Sequence, residues 1–233
     1  MKMAIMQPYI FPYIGYFQLI EAVDVFVFYD DVNFINRGWI NRNRILLNGK
    51  DHLFTIPLSK ASQNKLIRMV ETAIDEKYVS RLEATLHQAY KKAPFYHDVM
   101  HLIQKIFSIT ASDIALLAAN SVRHVCDYIG LQRQFLFSSA QFPDSTDLKK
   151  EHRLISICKT AGADHYINAW GGTELYNKEV FHKQGILLSF LKSKEVAYDQ
   201  GIPGFVPWLS VIDVLMFNSP EDTLKLINAY ELL

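Results

Sequence analysis

The chain has 233 residues, of which 50% are hydrophobic and 21% are charged, and this composition excludes a disordered chain and allows one substantial hydrophobic core. Lysine and arginine together number 24, as do aspartate and glutamate, so the net charge does not favour a nucleic-acid or membrane-surface partner. No stretch approaches the ~18 apolar residues of a membrane-spanning helix. Cys126 and Cys158 lie in stretches predicted to be helix interiors, which favours buried thiols in a reducing compartment, so we expect a cytoplasmic protein without membrane insertion.

The start of the chain has the pattern of a strand, a stiff loop, a helix and a second strand. The apolar run 3–6 is too short for a helix and suits a buried parallel strand. Pro8 and Pro12 then restrict the backbone, and Gly15 permits a close backbone approach. The apolar spacing that follows suits a short helix, and the β-branched and aromatic run 25–29 completes a βαβ unit.

The predicted ligand site lies where these strands end. In open α/β sheets, ligands bind outside the carboxyl ends of the strands, near helix N-termini that attract phosphate. The loop after the first strand offers five candidate binding residues: Gln7, Pro8, Tyr9, Gly15 and Tyr16. The second strand ends on Asp30 and Asp31, which either act chemically at this edge or cap the loop that follows.

The stretch after Asp31 is also dense in polar side chains. Its candidate binding residues are Arg37, Trp39, Asn41, Arg42 and Asn43. Arginine can bind phosphate or carboxylate with a fork of two donors, and asparagine offers a paired donor and acceptor. Residues 36–43 are therefore either part of a binding site or a solvated surface. Residues 44–57, with Asn48-Gly49 as the turn, predict a β-hairpin.

The remaining elements follow from periodicity and from turn residues. We predict a strand over 66–74, helices from Asp75 to before Pro94, over 96–107 and over 112–130, a strand over 135–139, a helix over 147–161, a strand over 163–167, a helix over 174–184, a strand over 186–191, a helix capped near Ser210 and a last helix after Pro220. Gly171 and Gly172, after one of these strands, form either a phosphate-binding nest or a plain turn. His97 and His101 have helical spacing, but no acidic or cysteine residue stands at a supporting position, so we predict no metal site.

Together these elements predict an α/β protein with a mainly parallel, Rossmann-like sheet whose first strand lies centrally. No repeat, linker or low-complexity segment divides the chain. We therefore expect a single domain over 1–233 with a helical insert at about 75–130.

Several segments carry a resemblance to a known family: Gln7-Pro-Tyr-Ile-Phe-Pro-Tyr-Ile-Gly-Tyr-Phe, Tyr29-Asp-Asp-Val, Trp39-Ile-Asn-Arg-Asn, Tyr90-Lys-Lys-Ala-Pro, Gly171-Gly172 and Leu209-Ser-Val-Ile-Asp. With these segments the chain resembles the WbqC-like proteins nearly end to end. The resemblance implies a bacterial protein of O-antigen or other surface-polysaccharide biosynthesis. It also implies a transferase or ligase that attaches an acyl or aminoacyl group to an amino sugar.

A more distant likeness is to the nucleotidyltransferase and pantoate-ligase group, in which a first strand leads into a His-x-Gly-His type loop. Here Pro12-Tyr-Ile-Gly15-Tyr16 occupies the equivalent stretch, and tyrosine replaces both histidines. Tyrosine is a donor but not a cation at neutral pH. The replacement of both histidines therefore counts against adenylylation by ATP even if the fold is shared. The cofactor remains open between ATP and an acyl or aminoacyl carrier.

Two functions follow from the sequence. In the first, the protein is an enzyme whose substrate is a nucleotide-linked amino sugar, Asp31 or Asp30 is the general base, and Arg37 and Arg42 hold phosphates. The amides of the Gly15 loop would then stabilise developing negative charge. In the second, the protein is a non-catalytic sugar-nucleotide-binding or assembly protein with the same pocket.

Overall fold

The computed structural model describes residues 1–109, 111–194 and 196–233. Its central sheet is formed by β1 (Lys2–Met6), β2 (Val25–Phe28), β7 (Gln134–Phe137), β8 (His165–Ala169), β9 (Leu187–Ser193) and β10 (Tyr230–Leu232). The strand order is β10-β9-β8-β1-β2-β7, and every neighbouring pair is parallel except β9 and β10. The prediction of a mainly parallel, Rossmann-like sheet with a central first strand is confirmed.

Helices pack around this sheet, and some of them begin at side-chain caps. The helices are α1 (Ile14–Glu21), α2 (Glu76–Tyr90), α3 (Tyr96–Ser108), α4 (Ile114–Tyr128), α5 (Ser138–Gln141), α6 (Lys150–Ala161), α7 (Lys178–His182), α8 (Val211–Phe217) and α9 (Pro220–Ile227). The side chains of Asp75, Asp113, Ser210 and Ser219 accept backbone N–H groups at the starts of α2, α4, α8 and α9. Among the described residues, no helix is both long and apolar enough to cross a membrane.

The predicted hairpin is present as β3 (Arg42–Leu47) and β4 (Lys50–Thr55), which pair antiparallel on either side of Asn48-Gly49. The strand predicted over 66–74 is wrong. That stretch forms a 3-10 turn over Ile67–Met69 and then the short β6 (Glu71–Thr72), which pairs with β5 (Leu58–Ser59). The N–H groups of Ile67 and Arg68 donate to the carbonyls of Val32 and Asp30, so the segment closes the loop after β2 instead of extending a ladder.

Two other predicted elements have different bounds. The helix predicted over 174–184 is only α7, because a turn over 173–175 and irregular backbone at 176–177 occupy the start of that stretch. The strand predicted over 135–139 ends at Phe137, and its two serines begin α5. The antiparallel strand β10 was not predicted.

Alternation along the central strands sends side chains into two hydrophobic clusters. Phe26 and Phe28 of β2 pack into the larger cluster with α1 to α4, α8 and the hairpin, whereas Val25 and Val27 pack into the smaller one with α6 and α7. The sheet is therefore covered on both faces. This leaves the edge at which the parallel strands end, here called the carboxyl edge, as the place where polar loops meet.

Candidate functional site

The loop after β1 is held in shape by side chains from distant parts of the chain. Asn43 Nδ2 donates to the carbonyls of Ile10 (3.2 Å) and Phe11 (2.8 Å), and Ser210 Oγ donates to the same Phe11 carbonyl (2.7 Å). The Phe11 N–H donates to Ser121 Oγ at 3.1 Å, and Phe11 has a φ of 39°. These bonds fix a left-handed backbone that an unsupported phenylalanine rarely adopts. Asn43, predicted to bind ligand, therefore uses its amide to hold the loop.

The tyrosines of this loop pack on one another. Tyr16 Oη donates to the Gln7 carbonyl at 2.9 Å, and the rings of Tyr9 and Tyr16 lie 5.7 Å apart between centroids. Pro8 of the same loop is buried. Gly15 has a further role, because a Cβ at this position would lie 2.5 Å from the ring of Tyr13. A glycine here lets Tyr13 fold over the start of α1.

Two arginines lie close to the ring of Trp39 at the start of the hairpin. The guanidinium carbons of Arg42 and Arg44 lie 5.7 Å and 5.2 Å from its ring centroid. Arg42 Nε donates to the Gly38 carbonyl at 2.9 Å, and its Nη2 donates to the Arg37 carbonyl. Arg42, predicted to hold phosphate, therefore holds the loop that carries Trp39, and the predicted phosphate ligand Arg37 is an exposed residue on that loop.

Asn41, another predicted binding residue, joins the two ends of the hairpin. Its Nδ2 donates to the Ile56 carbonyl at 2.9 Å, and the Ile56 N–H donates to the Asn41 carbonyl at 2.7 Å. Arg44, which was not predicted, faces a cavity. Its Nη1 makes an exposed ion pair with Asp51 (3.3 Å), and its buried Nε has no partner among the described residues.

Two cavities meet at the carboxyl edge and share Tyr13 and Trp208. The smaller one, of about 220 Å³, is lined by Tyr9, Pro12, Tyr13, Trp39, Asn43, Arg44 and Trp208. The larger one, of about 500 Å³, is lined by Tyr13, Ile14, Ser193, Lys194, Val196, Ala197, Tyr198, Phe205, Val206, Pro207, Trp208, Leu209 and Val214. We call the two together the aromatic cleft. The ring centroids of Tyr13 and Trp208 lie 5.9 Å apart where the cavities meet.

The aromatic cleft combines stacking surfaces with positive charge. Trp208 and Trp39 are 63% and 40% exposed, so both can receive a planar or sugar ring. Arg44 lines the smaller cavity and Lys194 the larger one, which places a cation in each half. Burial raises the pKa of the Tyr13 phenol, so this residue is a neutral hydrogen-bonding group. The cleft has the chemistry to bind an anionic ligand that carries rings.

The two predicted catalytic carboxylates lie further along the same edge, in a buried polar cluster. Asp30 accepts from Ser139 N (3.0 Å) and Ser139 Oγ (2.6 Å), and Ser138 Oγ contacts both Asp30 Oδ1 (3.0 Å) and Asp31 Oδ1 (2.5 Å). Ser138 has one hydroxyl proton for two carboxylates. Asp31 Oδ2 accepts from Arg153 Nη2 at 2.6 Å. In the described part of the chain, neither carboxylate is a lining residue of the aromatic cleft.

Arg153 is fixed by more than this ion pair. Its Nε donates to Ser145 Oγ at 3.3 Å, and its guanidinium lies 4.7 Å from the centroid of the Tyr29 ring. The cluster therefore ties the loop after β2 to α5 and α6. The serines after β7 begin a helix because Asp30 accepts hydrogen bonds from the N–H and the hydroxyl of Ser139 at the start of α5.

Gly171 and Gly172 lie after β8 at the carboxyl edge. Gly172 belongs to a 3-10 turn, and a Cβ there would lie 2.5 Å from Asn168 Nδ2. Trp170 of the same turn lines a separate surface cavity of about 610 Å³ with Tyr176 and Lys178. The choice between a phosphate nest and a plain turn stays a prediction.

A third buried polar group was not predicted from the sequence. Asp213 of α8 accepts from Tyr90 Oη (2.8 Å), Tyr198 Oη (2.6 Å) and Gln200 Nε2 (2.8 Å). Burial raises the pKa of its carboxyl above the ordinary value, and the three hydrogen bonds oppose this shift. The signal in the sequence was an acidic residue inside the otherwise apolar run 211–217.

The two cysteines are buried and inert. Cys126 and Cys158 are free and buried, and burial raises the pKa of both thiols, that of Cys158 to about 12. Within residues 1–109, 111–194 and 196–233 there is no group of three or more His, Cys, Asp or Glu residues that could hold a metal ion.

The chain has relatives among known proteins. The model of the WbqC-like protein family matches residues 7–225. "Uncharacterized protein Rv1507c" of Mycobacterium tuberculosis is 28% identical over 225 residues, which is 93% of each chain. No solved structure matches the chain. The matched range includes the opening loop, the hairpin, the carboxylate cluster and Asp213.

Proposed function

The chain belongs to the WbqC-like protein family, and on this premise we propose that it is a transferase of bacterial surface-polysaccharide (O-antigen) biosynthesis. Its substrate in this proposal is a nucleotide-linked amino sugar, to whose amine it attaches an acyl or aminoacyl group. The aromatic cleft is the observation that carries the proposal. We place the reaction in the cytoplasm, in keeping with two free, buried cysteines.

A sugar nucleotide matches the cleft part by part. The base and the sugar are rings that stack on indole and phenol faces, and Tyr13, Trp39 and Trp208 supply such faces in adjoining halves. The diphosphate is an anion that suits a guanidinium, and Arg44 keeps a buried Nε without a partner among the described residues. The combined cavity volumes fall in the usual range of ~300–1,000 Å³ for small-molecule sites.

The reaction requires an amine that has lost its proton. The neutral amine attacks the carbonyl carbon of the acyl donor, and a nearby group must take the proton released when the C–N bond forms. The sequence predicts Asp31 or Asp30 for this role. The partners of both carboxylates, Ser138, Ser139 and Arg153, favour instead that they hold the loop after β2, so their role as base stays a prediction.

The second candidate is a sugar-nucleotide-binding or assembly protein that uses the same cleft without chemistry. The buried ion pair between Asp31 and Arg153 favours this candidate, because it gives the predicted base a structural task. Both candidates require binding in the cleft. Only the first requires product formation from an acyl or aminoacyl donor.

Calorimetry with a uridine-diphosphate or thymidine-diphosphate amino sugar tests the shared requirement. We expect Arg44→Met and Trp208→Ala each to weaken binding about 10- to 100-fold, as for a lost charge-assisted hydrogen bond or stacking surface. Lys50→Met, on the exposed strand of the same hairpin, is the matched control and should leave affinity unchanged. Equal affinity of all three variants would show that the cleft is not the binding site.

A parallel measurement concerns Arg42. The sequence predicts that Arg42→Ala weakens binding more than Lys60→Ala or Lys65→Ala. Since Arg42 holds the carbonyls of Gly38 and Arg37, we expect its loss to act through the position of Trp39. A second assay separates the enzyme from the binding protein. Mass spectrometry detects amide formation, first with ester or thioester acyl donors and then with ATP plus a free carboxylic acid.

A further inference from the structure

Asp213 is a buried carboxylate that faces neutral groups. Its side chain is fully buried, and its partners Tyr90, Tyr198 and Gln200 are uncharged. Within the described ranges it forms no ion pair with Lys, Arg or His. A buried carboxylate without a cation favours its protonated form more than an exposed one does. Asp213 is therefore better suited to hold a proton than Asp31, which is paired with Arg153.

Tyr198 connects this carboxylate to the aromatic cleft. Tyr198 lines the larger cavity, and its Oη donates to Asp213 Oδ2 at 2.6 Å. A phenol oxygen that donates its own proton can still accept a hydrogen bond from a second group. Burial and the adjacent carboxylate raise the pKa of this phenol far above its ordinary value, so a stable phenolate does not form. Tyr198 can therefore take a proton from a ligand only if its own hydroxyl proton moves to Asp213 in the same step.

We propose that Tyr198 takes the proton of the substrate amine while its own hydroxyl proton moves to Asp213 Oδ2. The inference rests on the proposed function and names the group that assists its chemistry. The acyl donor is a carboxylic ester or thioester. As the amine nitrogen forms a bond to the acyl carbon, the N–H proton goes to Tyr198 Oη and the Tyr198 proton goes to Asp213. When the bond from carbon to the leaving oxygen or sulfur breaks, the proton returns through Tyr198 to that atom, and Asp213 is again a carboxylate.

The chain offers a matched control for a purely structural role. Tyr90 Oη also donates to Asp213, at 2.8 Å, but Tyr90 is not among the residues that line the larger cavity in the described part of the chain. It accepts the Leu46 N–H and so ties α2 and α8 to the hairpin. Tyr198→Phe and Tyr90→Phe each remove one donor from the same carboxylate. Only Tyr198→Phe removes the path from the cleft.

The experiment compares wild type, Tyr198→Phe and Tyr90→Phe at matched folded concentration. The readouts are melting temperature, affinity for the amino-sugar nucleotide and its hydroxyl-sugar analogue, and kcat for amide formation from a thioester donor. We expect Tyr198→Phe to lower kcat about 100-fold or more, as for loss of a proton-transfer group. It should also abolish any difference in affinity between the amino-sugar nucleotide and its hydroxyl-sugar analogue. Tyr90→Phe should lower the melting temperature but keep kcat within about threefold, since a structural donor acts only through folding.

The outcomes separate the two proposals. A wild type that binds the sugar nucleotide but forms no amide with ester, thioester or ATP-activated donors overturns the proposed function and, with it, the proton path. An active wild type whose kcat survives in Tyr198→Phe overturns the proton path alone. Equal losses of kcat in Tyr198→Phe and Tyr90→Phe would also overturn it, because the cluster would then act only as structure.

Discussion

Arg153 Nη2 lies 2.6 Å from Asp31 Oδ2, and the two side chains are only 6% and 3% exposed. The pair joins α6 to the loop after β2. Two charges removed from water in this way are tolerated only because each partner neutralises the other. The relationship gives Asp31 a structural partner at the place where the sequence predicts a catalytic base.

Arg153→Met should lower the free energy of unfolding by about 3–5 kcal/mol, because it leaves Asp31 buried without a cation. Urea unfolding followed by circular dichroism measures this change. Asp51→Asn, which breaks the exposed pair with Arg44, is the control and should cost about 0–1 kcal/mol. Similar losses in both variants would show that the Asp31 pair is as solvated as a surface pair.

Asp31→Asn separates the catalytic and structural roles of this carboxylate. The amide keeps the shape but leaves Arg153 without an anion, so we expect a lower melting temperature and normal turnover of the folded fraction. Both quantities are measured on one preparation. Unchanged stability with turnover reduced about 100-fold or more would instead identify Asp31 as the general base predicted from the sequence.

Asn43→Ala should destabilise the protein by about 1–3 kcal/mol, since it leaves the buried carbonyl of Ile10 without its amide donor. The Phe11 carbonyl keeps the bond from Ser210. Chemical unfolding measures the loss. Asn36→Ala, at an exposed position, should stay within about 0.5 kcal/mol of wild type. A neutral Asn43→Ala would mean that water replaces the amide.

Gly15→Ala should weaken ligand binding without lowering stability. Its Cβ would lie 2.5 Å from the Tyr13 ring and displace this ring, which lines both halves of the cleft. Alanine inside a helix is otherwise favourable by about 0.5–1 kcal/mol. Calorimetry and thermal melting on one sample measure both effects. Lys50→Met, on the exposed strand of the hairpin, serves as the control. Equal affinities of wild type and Gly15→Ala would show that Tyr13 is not a binding group.

The pH dependence of stability should carry a contribution from Asp213. Its pKa in the folded state is raised above the ordinary 3.8 by burial, so between these two values the folded state binds more protons than the unfolded state. Stability therefore falls as pH rises through this window. The groups that face the carboxylate, Tyr90 from α2 and Tyr198 and Gln200 from the segment before α8, are neutral.

Asp213→Asn removes this titration. We expect the difference in unfolding free energy, wild type minus Asp213→Asn, to decrease from about pH 4 upwards, as linkage requires for a raised folded-state pKa. Urea unfolding at a series of pH values measures the difference. A difference that is constant with pH would show that Asp213 has the same pKa in the folded and unfolded states.

Short sequence patterns were sufficient to predict much of the fold. The apolar runs 3–6 and 25–29 predicted β1 and β2, and Asn48-Gly49 predicted the hairpin, because these signals act over a few residues. The strand predicted over 66–74 failed because the N–H groups of Ile67 and Arg68 donate to the loop after β2, which no local pattern encodes.

The candidate site could be predicted only in part, because partners far apart in the chain decide what each polar residue does. Tyr9, Trp39 and Asn43 do meet in the smaller cavity. Arg42 and Asn41 have binding chemistry, but the structure directs them to backbone carbonyls. The sequence predicts only a helix for the stretch that contains Arg153, so it does not predict the buried contact with Asp31. No site residue was predicted between β9 and α8, and this stretch supplies Lys194, Tyr198 and Trp208.

The contacts of Phe11 have a consequence for the order of folding. Its N–H and carbonyl bind side chains that lie 110, 32 and 199 residues further along the chain. Contacts between such distant residues form late, because the entropy of closing long loops is lost before the bonds are made. We expect the loop after β1, although it is made early in synthesis, to reach its final shape only after α8 has docked. Ligand-binding competence should then appear in the last kinetic phase of refolding, after most of the helical signal has returned.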